Sequence, residues 1–270
     1  MRAFESDAKV GLIATVNPEG LPHITLISSI RAKTPTQLIW GQFTEGRSKK
    51  HVQENPKTGF LILTMDKALW RGRARWTHTA TQGEDFEMYN QLPMFRYNAY
   101  FGIHTVHYMD LVETYGREKL PLARIILATI VTRLTKSGAR AAEDSPILKP
   151  WARALFDKPG ALKFLALIDD QGFPAIIPIV QCQSSDSRRL VFSPLAYGRE
   201  LRGLDQGQPV AVFGMTMDME DILVRGIFTG PGRQKGLGVG RVDLDWVYNS
   251  MPPKQGQIYP ETPLEPVIHF

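Results

Sequence analysis

The chain has 270 residues, 43% hydrophobic and 22% charged, the balance of a globular protein rather than a disordered or fibrous one. A net charge of +5 and an isoelectric point near 9.3 suit an anionic small ligand; with no arginine-rich array or zinc knuckle, they point away from nucleic acid. The only cysteine, Cys182, excludes an intramolecular disulfide and a multi-thiolate metal site, and makes a reducing cytoplasm the expected compartment.

The first ten residues carry acids and no apolar core, unlike a signal peptide. Residues 10–16 (VGLIATV) and 23–30 (HITLISSI) flank the turn Asn17-Pro18-Glu19-Gly20 and predict a β-hairpin. A third strand, 38–40, runs into the stretch LIWGQFTEGRSKKHVQENP at 38–56. There Gly41 and Gly46 break the strand, Arg47, Lys49 and Lys50 collect charge beside the hydroxyls of Thr44 and Ser48, and a short helix stops at Asn55-Pro56. A strand that turns through glycine into a helix N-terminus makes an anion seat, because free N–H groups, the helix dipole and cationic side chains converge. The alternative is a solvated basic turn.

Residues 58–65 predict a fourth strand and 70–78 (WRGRARWTH) a fifth. Alternation sets Arg71, Arg73 and Arg75 on one face, with solvent expected to answer at least two of them. The segment 84–115 holds Tyr89, Phe95, Tyr97, Tyr100, Phe101, Tyr108 and Tyr115 with Met88, Met94 and Met109. Pro93 and Gly102 break it into two expected short helices and a loop, either core filling or the lining of a substrate pocket. Helical spacing would set His104, His107 and Asp110 on one face as a metal site wants; hydrogen-bonded structural histidines are the competing reading, and no metal is assigned.

Residues 123–134 read as a buried strand. The whole run 120–134 is short for a membrane span and contains Arg124 and Arg133. A polar, Pro-bounded link at 136–150 leads to a helix from Trp151 and a strand over 161–168. Cys182, in IIPIVQCQ, reads as a half-buried strand residue. The glycine-rich run 230–240 precedes a strand rather than a helix, so it reads as a flexible loop and not a dinucleotide fingerprint.

The second half echoes the first. Gly20-Leu21-Pro22 matches Gly172-Phe173-Pro174, Leu38-Ile39-Trp40 matches Leu190-Val191-Phe192, and Glu45-Gly46-Arg47 matches Tyr197-Gly198-Arg199, all at one offset. Arg124 to Leu127 pairs in this scheme with Arg241 to Leu244 as the last strands. The shrinking offset marks the aromatic segment, about 81–116, as an insertion in the first copy. Ser48 and Lys49 become Glu200 and Leu201, and a carboxylate at the seat would repel an anion.

The stretch Arg47, Ser48, Lys49, Lys50 followed by Asn55-Pro56 resembles the phosphate-binding turn and helix of the FMN-binding split β-barrels, the pyridoxamine-phosphate-oxidase-like superfamily. The resemblance implies a mainly β fold with α insertions: two tandem split β-barrels, over 1–135 and 151–270, the second degenerate. It implies FMN as cofactor, its phosphate on Arg47, Ser48, Lys49 and Lys50. Its ring edge would run along Ser28, Ser29 and Ile30, with Gln42 and Thr44 reaching the ring or ribityl chain and Trp76 packing on the ring or in the core. Such barrels pair, so an intramolecular pseudo-dimer or a homodimer is implied. The implied function is an FMN-dependent oxidoreductase of a small-molecule substrate. The alternative is a non-catalytic sensor or carrier of haem, deazaflavin or flavin. No general base stands out and no catalytic residue is assigned, since a flavin carries its own redox chemistry. The run from Tyr259 to Phe270 departs from the Arg-and-His pattern with which the oxidase holds its own substrate.

Overall fold

The computed structural model describes residues 9–93, 95–96, 102–141, 146–218, 220–234, 237–249 and 256–262. Met94, Tyr97, Tyr100, Phe101 and residues 263–270, singled out above, lie outside them. Strands β1 (Lys9–Val16) and β2 (Pro22–Leu26) form the expected hairpin. Its turn rests on Gly20 at φ 76°, which donates to the Asn17 carbonyl at 2.9 Å, while Asn17 Oδ1 accepts from Leu21 N–H at 2.7 Å. Glycine takes that positive φ without a Cβ penalty. The second strand stops earlier than expected. Ile27 N–H bonds the Gly11 carbonyl (2.7 Å) and Ile30 N–H the Ile27 carbonyl (3.2 Å), so Ser28 and Ser29 form a tight turn.

The chain continues through β3 (Arg31–Thr34), β4 (Gln37–Gln42), α1 (Arg47–Glu54), β5 (Lys57–Thr64), β6 (Ala68–Ala80), α2 (Glu84–Gln91), β7 (Thr105–Thr114) and β8 (Glu118–Lys119). The sheet order is β2-β1-β5-β6-β7-β4-β3, with β8 beside β6. One core cluster gathers Ile13, Ile30, Trp40, Phe60, Ile62, Ala74 and Met109; a second, under α2, gathers Ile39, Tyr89, Phe95, Ile103, Val106 and Tyr108.

The remaining elements are α3 (Leu122–Thr135), α4 (Pro150–Asp157), β9 (Leu162–Ile168), β10 (Pro174–Pro178), β11 (Gln183–Ser184), β12 (Arg189–Phe192), α5 (Gly198–Leu201), β13 (Pro209–Met215), β14 (Asp221–Gln234), β15 (Leu237–Asn249) and β16 (Gly256–Tyr259). Their sheet order, β10-β9-β13-β14-β15-β12-β11, repeats the first strand for strand. The fold is mainly β, built by internal duplication. α2 lies between β6 and β7, whereas residues 235–236 alone separate β14 from β15. Two compact units result, Met1–Leu120 with Asp169–Ala175, and Pro121–Ile168 with Ile176–Phe270. The expected link at 136–150 contributes a 3-10 helix (Lys136–Ala139) and the buried Ile147 and Leu148 to the second.

Several local expectations are corrected. Residues 123–134 are helix α3 rather than a strand: Ile125, Ala128, Val131, Thr132 and Thr135 bury one face at three- and four-residue spacing. The apolar outer face (Ile126, Leu127, Ile130, Leu134 all exposed) hid that period in the sequence. The counterpart of β15 is therefore β7, and the pairing of Arg124–Leu127 with Arg241–Leu244 does not stand. Residues 105–114, expected to be helix or loop, are strand β7. Val106 to Met109 are all buried, so both faces are covered and no polar alternation betrays the strand. An odd spacing on a strand puts His104 and His107 on opposite faces, and Asp110 is exposed. In the glycine run 230–240 the described residues 231–234 and 237–240 are paired backbone, with Pro231 opposite Gly240 and Gly232 opposite Val239. Arg71 is answered by a bidentate Glu118 (2.9 and 3.0 Å) and Arg73 by Asp169 (2.8 Å) and Glu113 (3.3 Å); Arg75 is exposed to solvent. Cys182 is fully buried just before β11, its thiol pushed up to about 12 by burial. Among the described residues, no helix is long and apolar enough to cross a membrane.

Candidate functional site

β4 ends at Trp40-Gly41-Gln42, and a four-residue loop delivers the chain to α1. The helix starts after Gly46 with no side-chain cap and no acidic residue in its first turn. The leading N–H groups of a helix find no acceptor within it, and its dipole favours an anion there. Ser48 and Lys49 sit in that first turn, only 2% and 8% exposed. Ser48 Oγ has no hydrogen-bond partner among the described residues, an arrangement a folded protein tolerates poorly. Lys49 folds back over Gly46 so closely that a Cβ there would lie 2.9 Å from its Nζ. Burial lowers the Lys49 ammonium to about 8, with the nearby Glu45 carboxylate opposing the shift. Arg47 and Lys50, on the same turn, are exposed, and Thr44 is half-buried in the preceding loop.

The neighbouring β7 supplies His107, buried and stacked on Trp40 with ring centroids 3.7 Å apart and planes 6° from parallel. Its Nε2 meets Gln42 Oε1 at 2.8 Å, and its Nδ1 accepts from Trp76 Nε1–H at 3.2 Å. Burial, then the charges of Lys49 and His104, drive its pKa down to about 3, so the ring is neutral. His107 thus joins Gln42 and Trp76, two residues expected to contact the ligand, and lies near enough to Lys49 to feel its charge. The sequence offered His107 only as a metal ligand or a structural histidine. The signal for its role is its alternation with Met109 on a strand not recognised as one. Among the described residues, no group of three or more His, Cys, Asp or Glu side chains could hold a metal.

The turn carrying Ser28, Ser29 and Ile30 lies alongside the end of β4. Ser29 Oγ donates to the Gly41 carbonyl (2.8 Å) and accepts from Gly41 N–H (3.1 Å), and the Ser29 carbonyl accepts from Tyr89 O–H (2.8 Å). Ile30 is core, and Ser28 is half-buried. This turn therefore braces the strand end from which Gln42 projects. In the second copy the corresponding short helix α5 carries Glu200 and a core-packed Leu201 where the first carries Ser48 and Lys49.

Residues 1–129 match the family model described as pyridoxamine 5'-phosphate oxidase. No curated protein matches the chain significantly. Among solved structures, an FMN-binding protein from Syntrophomonas wolfei subsp. wolfei is similar at 15% identity and a TM-score of 0.37, over 44% of this chain and 82% of that one. HupZ of Group A Streptococcus is similar at 17% identity and a TM-score of 0.34, over 40% and 83%. General Stress Protein 26 from Bacillus anthracis str. Sterne is similar at 12% identity and a TM-score of 0.32, over 44% and 94%. The first half of the chain thus matches the pyridoxamine 5'-phosphate oxidase family, and a second sheet of the same strand order follows it.

Proposed function

We propose that the first copy binds FMN and that the chain is a flavoprotein oxidoreductase acting on a small molecule. The observation that carries this reading is the start of α1: an uncapped helix end, a buried Ser48 hydroxyl without a partner and a buried Lys49 beside Gly46. A dianionic phosphate answers all three, taking N–H, O–H and ammonium donors at once. The residues present therefore fit the group. Ser48 and Lys49 hold the phosphate from inside the seat. Arg47 and Lys50 add charge at its exposed rim, and Thr44 and Gln42 lead toward the ribityl chain and ring. Trp76 and the braced turn Ser28, Ser29 and Ile30 support the wall on the ring side. FMN, when bound, supplies hydride and electron transfer; these side chains bind, orient and shield it.

The test is a titration of FMN and of riboflavin, which lacks the phosphate, against the wild type and the double variant Ser48→Ala, Lys49→Ala. FMN affinity should fall ~100-fold in the variant, since two donors to a charged group are lost, and riboflavin affinity should stay as it is. Equal FMN retention by the variant would contradict the phosphate seat.

A further inference from the structure

We infer that His107 is a positioning residue: its neutral imidazole clamps the Gln42 carboxamide so that the amide N–H2 faces the ligand as a donor. This rests on the FMN reading above and adds to it the group that reads the ring or ribityl acceptor. The chain of reasoning starts at Trp76. An indole nitrogen can only donate, so the 3.2 Å contact between Trp76 Nε1 and His107 Nδ1 requires an unprotonated Nδ1. The ring is buried, lies against Trp40 and feels the charge of Lys49, so it stays neutral and its single proton sits on Nε2. Nε2–H then donates to Gln42, which must present Oε1 to it at 2.8 Å. The orientation of the Gln42 amide is thereby fixed by the donor-only indole two steps away. Gln42 is 7% exposed, and its amide nitrogen has no hydrogen-bond partner among the described residues.

A carboxamide free to flip would offer a donor or an acceptor with equal ease. Clamped in this way it offers only a donor, and so selects ligands with a carbonyl, ring-nitrogen or hydroxyl acceptor at that point. The clamp costs the ligand no ordering of the side chain on binding. The charged groups bearing on His107 are Lys49, from the first turn of α1, and His104, just before β7; both oppose its protonation.

The experiment is a double-mutant cycle read as FMN affinity. His107→Phe keeps a ring against Trp40 but makes no hydrogen bond, and Gln42→Leu removes the amide. Each should weaken FMN about tenfold, and the double variant should be no weaker than either, because the two act as one unit. Additive losses, or wild-type affinity in His107→Phe, would overturn the clamp. A ligand-independent readout on the wild type needs no variant to fold: the ¹H–¹⁵N imidazole correlations of His107 should show the Nε2–H tautomer, unchanged between about pH 5 and 8. An Nδ1–H or doubly protonated ring overturns the clamp whatever binds. Failure of the wild type to take up FMN, with the Nε2–H tautomer present, overturns the assigned ligand and upholds the clamp.

Discussion

Lys49 is the residue at which binding and stability oppose each other. In the folded chain without ligand its pKa is about 8, against 10.5 for the unfolded side chain, and burial is the cause. Between those values the unfolded state holds a proton that the folded state does not. Stability therefore rises with pH through that window, and below about pH 8 the desolvation cost is borne in full. The magnitude is ~3 kcal/mol at most. Lys49→Met should raise the melting temperature at pH 7, flatten the stability profile between pH 8 and 10.5, and reduce the preference for FMN over riboflavin. Denaturant titrations of both proteins across that range check it; an unchanged profile in the variant would show that another group titrates there. For the same reason, phosphate-dependent FMN affinity in the wild type should fall as pH rises past about 8.

At the scale of elements, the two copies solve the same packing problem with exchanged residues. Ile27 N–H bonds the Gly11 carbonyl (2.7 Å) in the first, and Ile179 N–H bonds the Lys163 carbonyl (2.8 Å) in the second. The next turn contact likewise repeats, from Ile30 to Ile27 and from Cys182 to Ile179. Gly11 thus corresponds to Lys163, and Ile30 to Cys182. A Cβ on Gly11 would collide with the Ile27 carbonyl oxygen and with Ile30 Cγ2. Gly11→Ala should cost about 1–3 kcal/mol, and Ile30→Cys in the same chain should recover part of that loss, a non-additivity that denaturant unfolding can measure. Tyr89→Phe, which leaves the buried Ser29 carbonyl without its 2.8 Å partner, should cost about 1–3 kcal/mol and loosen the turn that braces β4. Hydrogen exchange at Gly41, whose N–H is held by Ser29 Oγ, reports it.

Elements with one dominant signal were legible in the sequence: the β1–β2 hairpin from its Asn-Pro-Glu-Gly turn, and α1 from its glycine entry and Asn-Pro exit. Those without a polar face were not. α3 lacks a polar stripe because its outer face is as apolar as its inner one, and β7 lacks alternation because neither face meets solvent over Val106 to Met109. The candidate site divided in the same way. Ser48 and Lys49 stood out by local chemistry and Gln42 through the resemblance, whereas His107 needed the strand register of β7 against β4, where it lies opposite Trp40.

For the whole molecule, duplication gave two sheets of one order but seats of different chemistry. The second copy places Leu201 in its core and Glu200 on a helix of four residues, where the first has Lys49 and Ser48 on a helix of eight. Arg202 lies over Gly198 there much as Lys49 lies over Gly46, but it is exposed, and the Glu200 carboxylate in place of Ser48 repels phosphate, so each chain should take one FMN rather than two. Equilibrium dialysis at saturating FMN reads that number directly, and a value near two would place a working seat in the second copy.

The most direct test of the flavin site is the visible absorption spectrum of the purified chain, before and after addition of FMN and then dithionite. The expected result is a bound-flavin spectrum that saturates at one equivalent, shifts from that of free FMN and bleaches on reduction. A colourless chain that leaves added FMN with its free spectrum would contradict it, and the Arg47 to Lys50 turn would then be a solvated basic loop on a barrel put to another use.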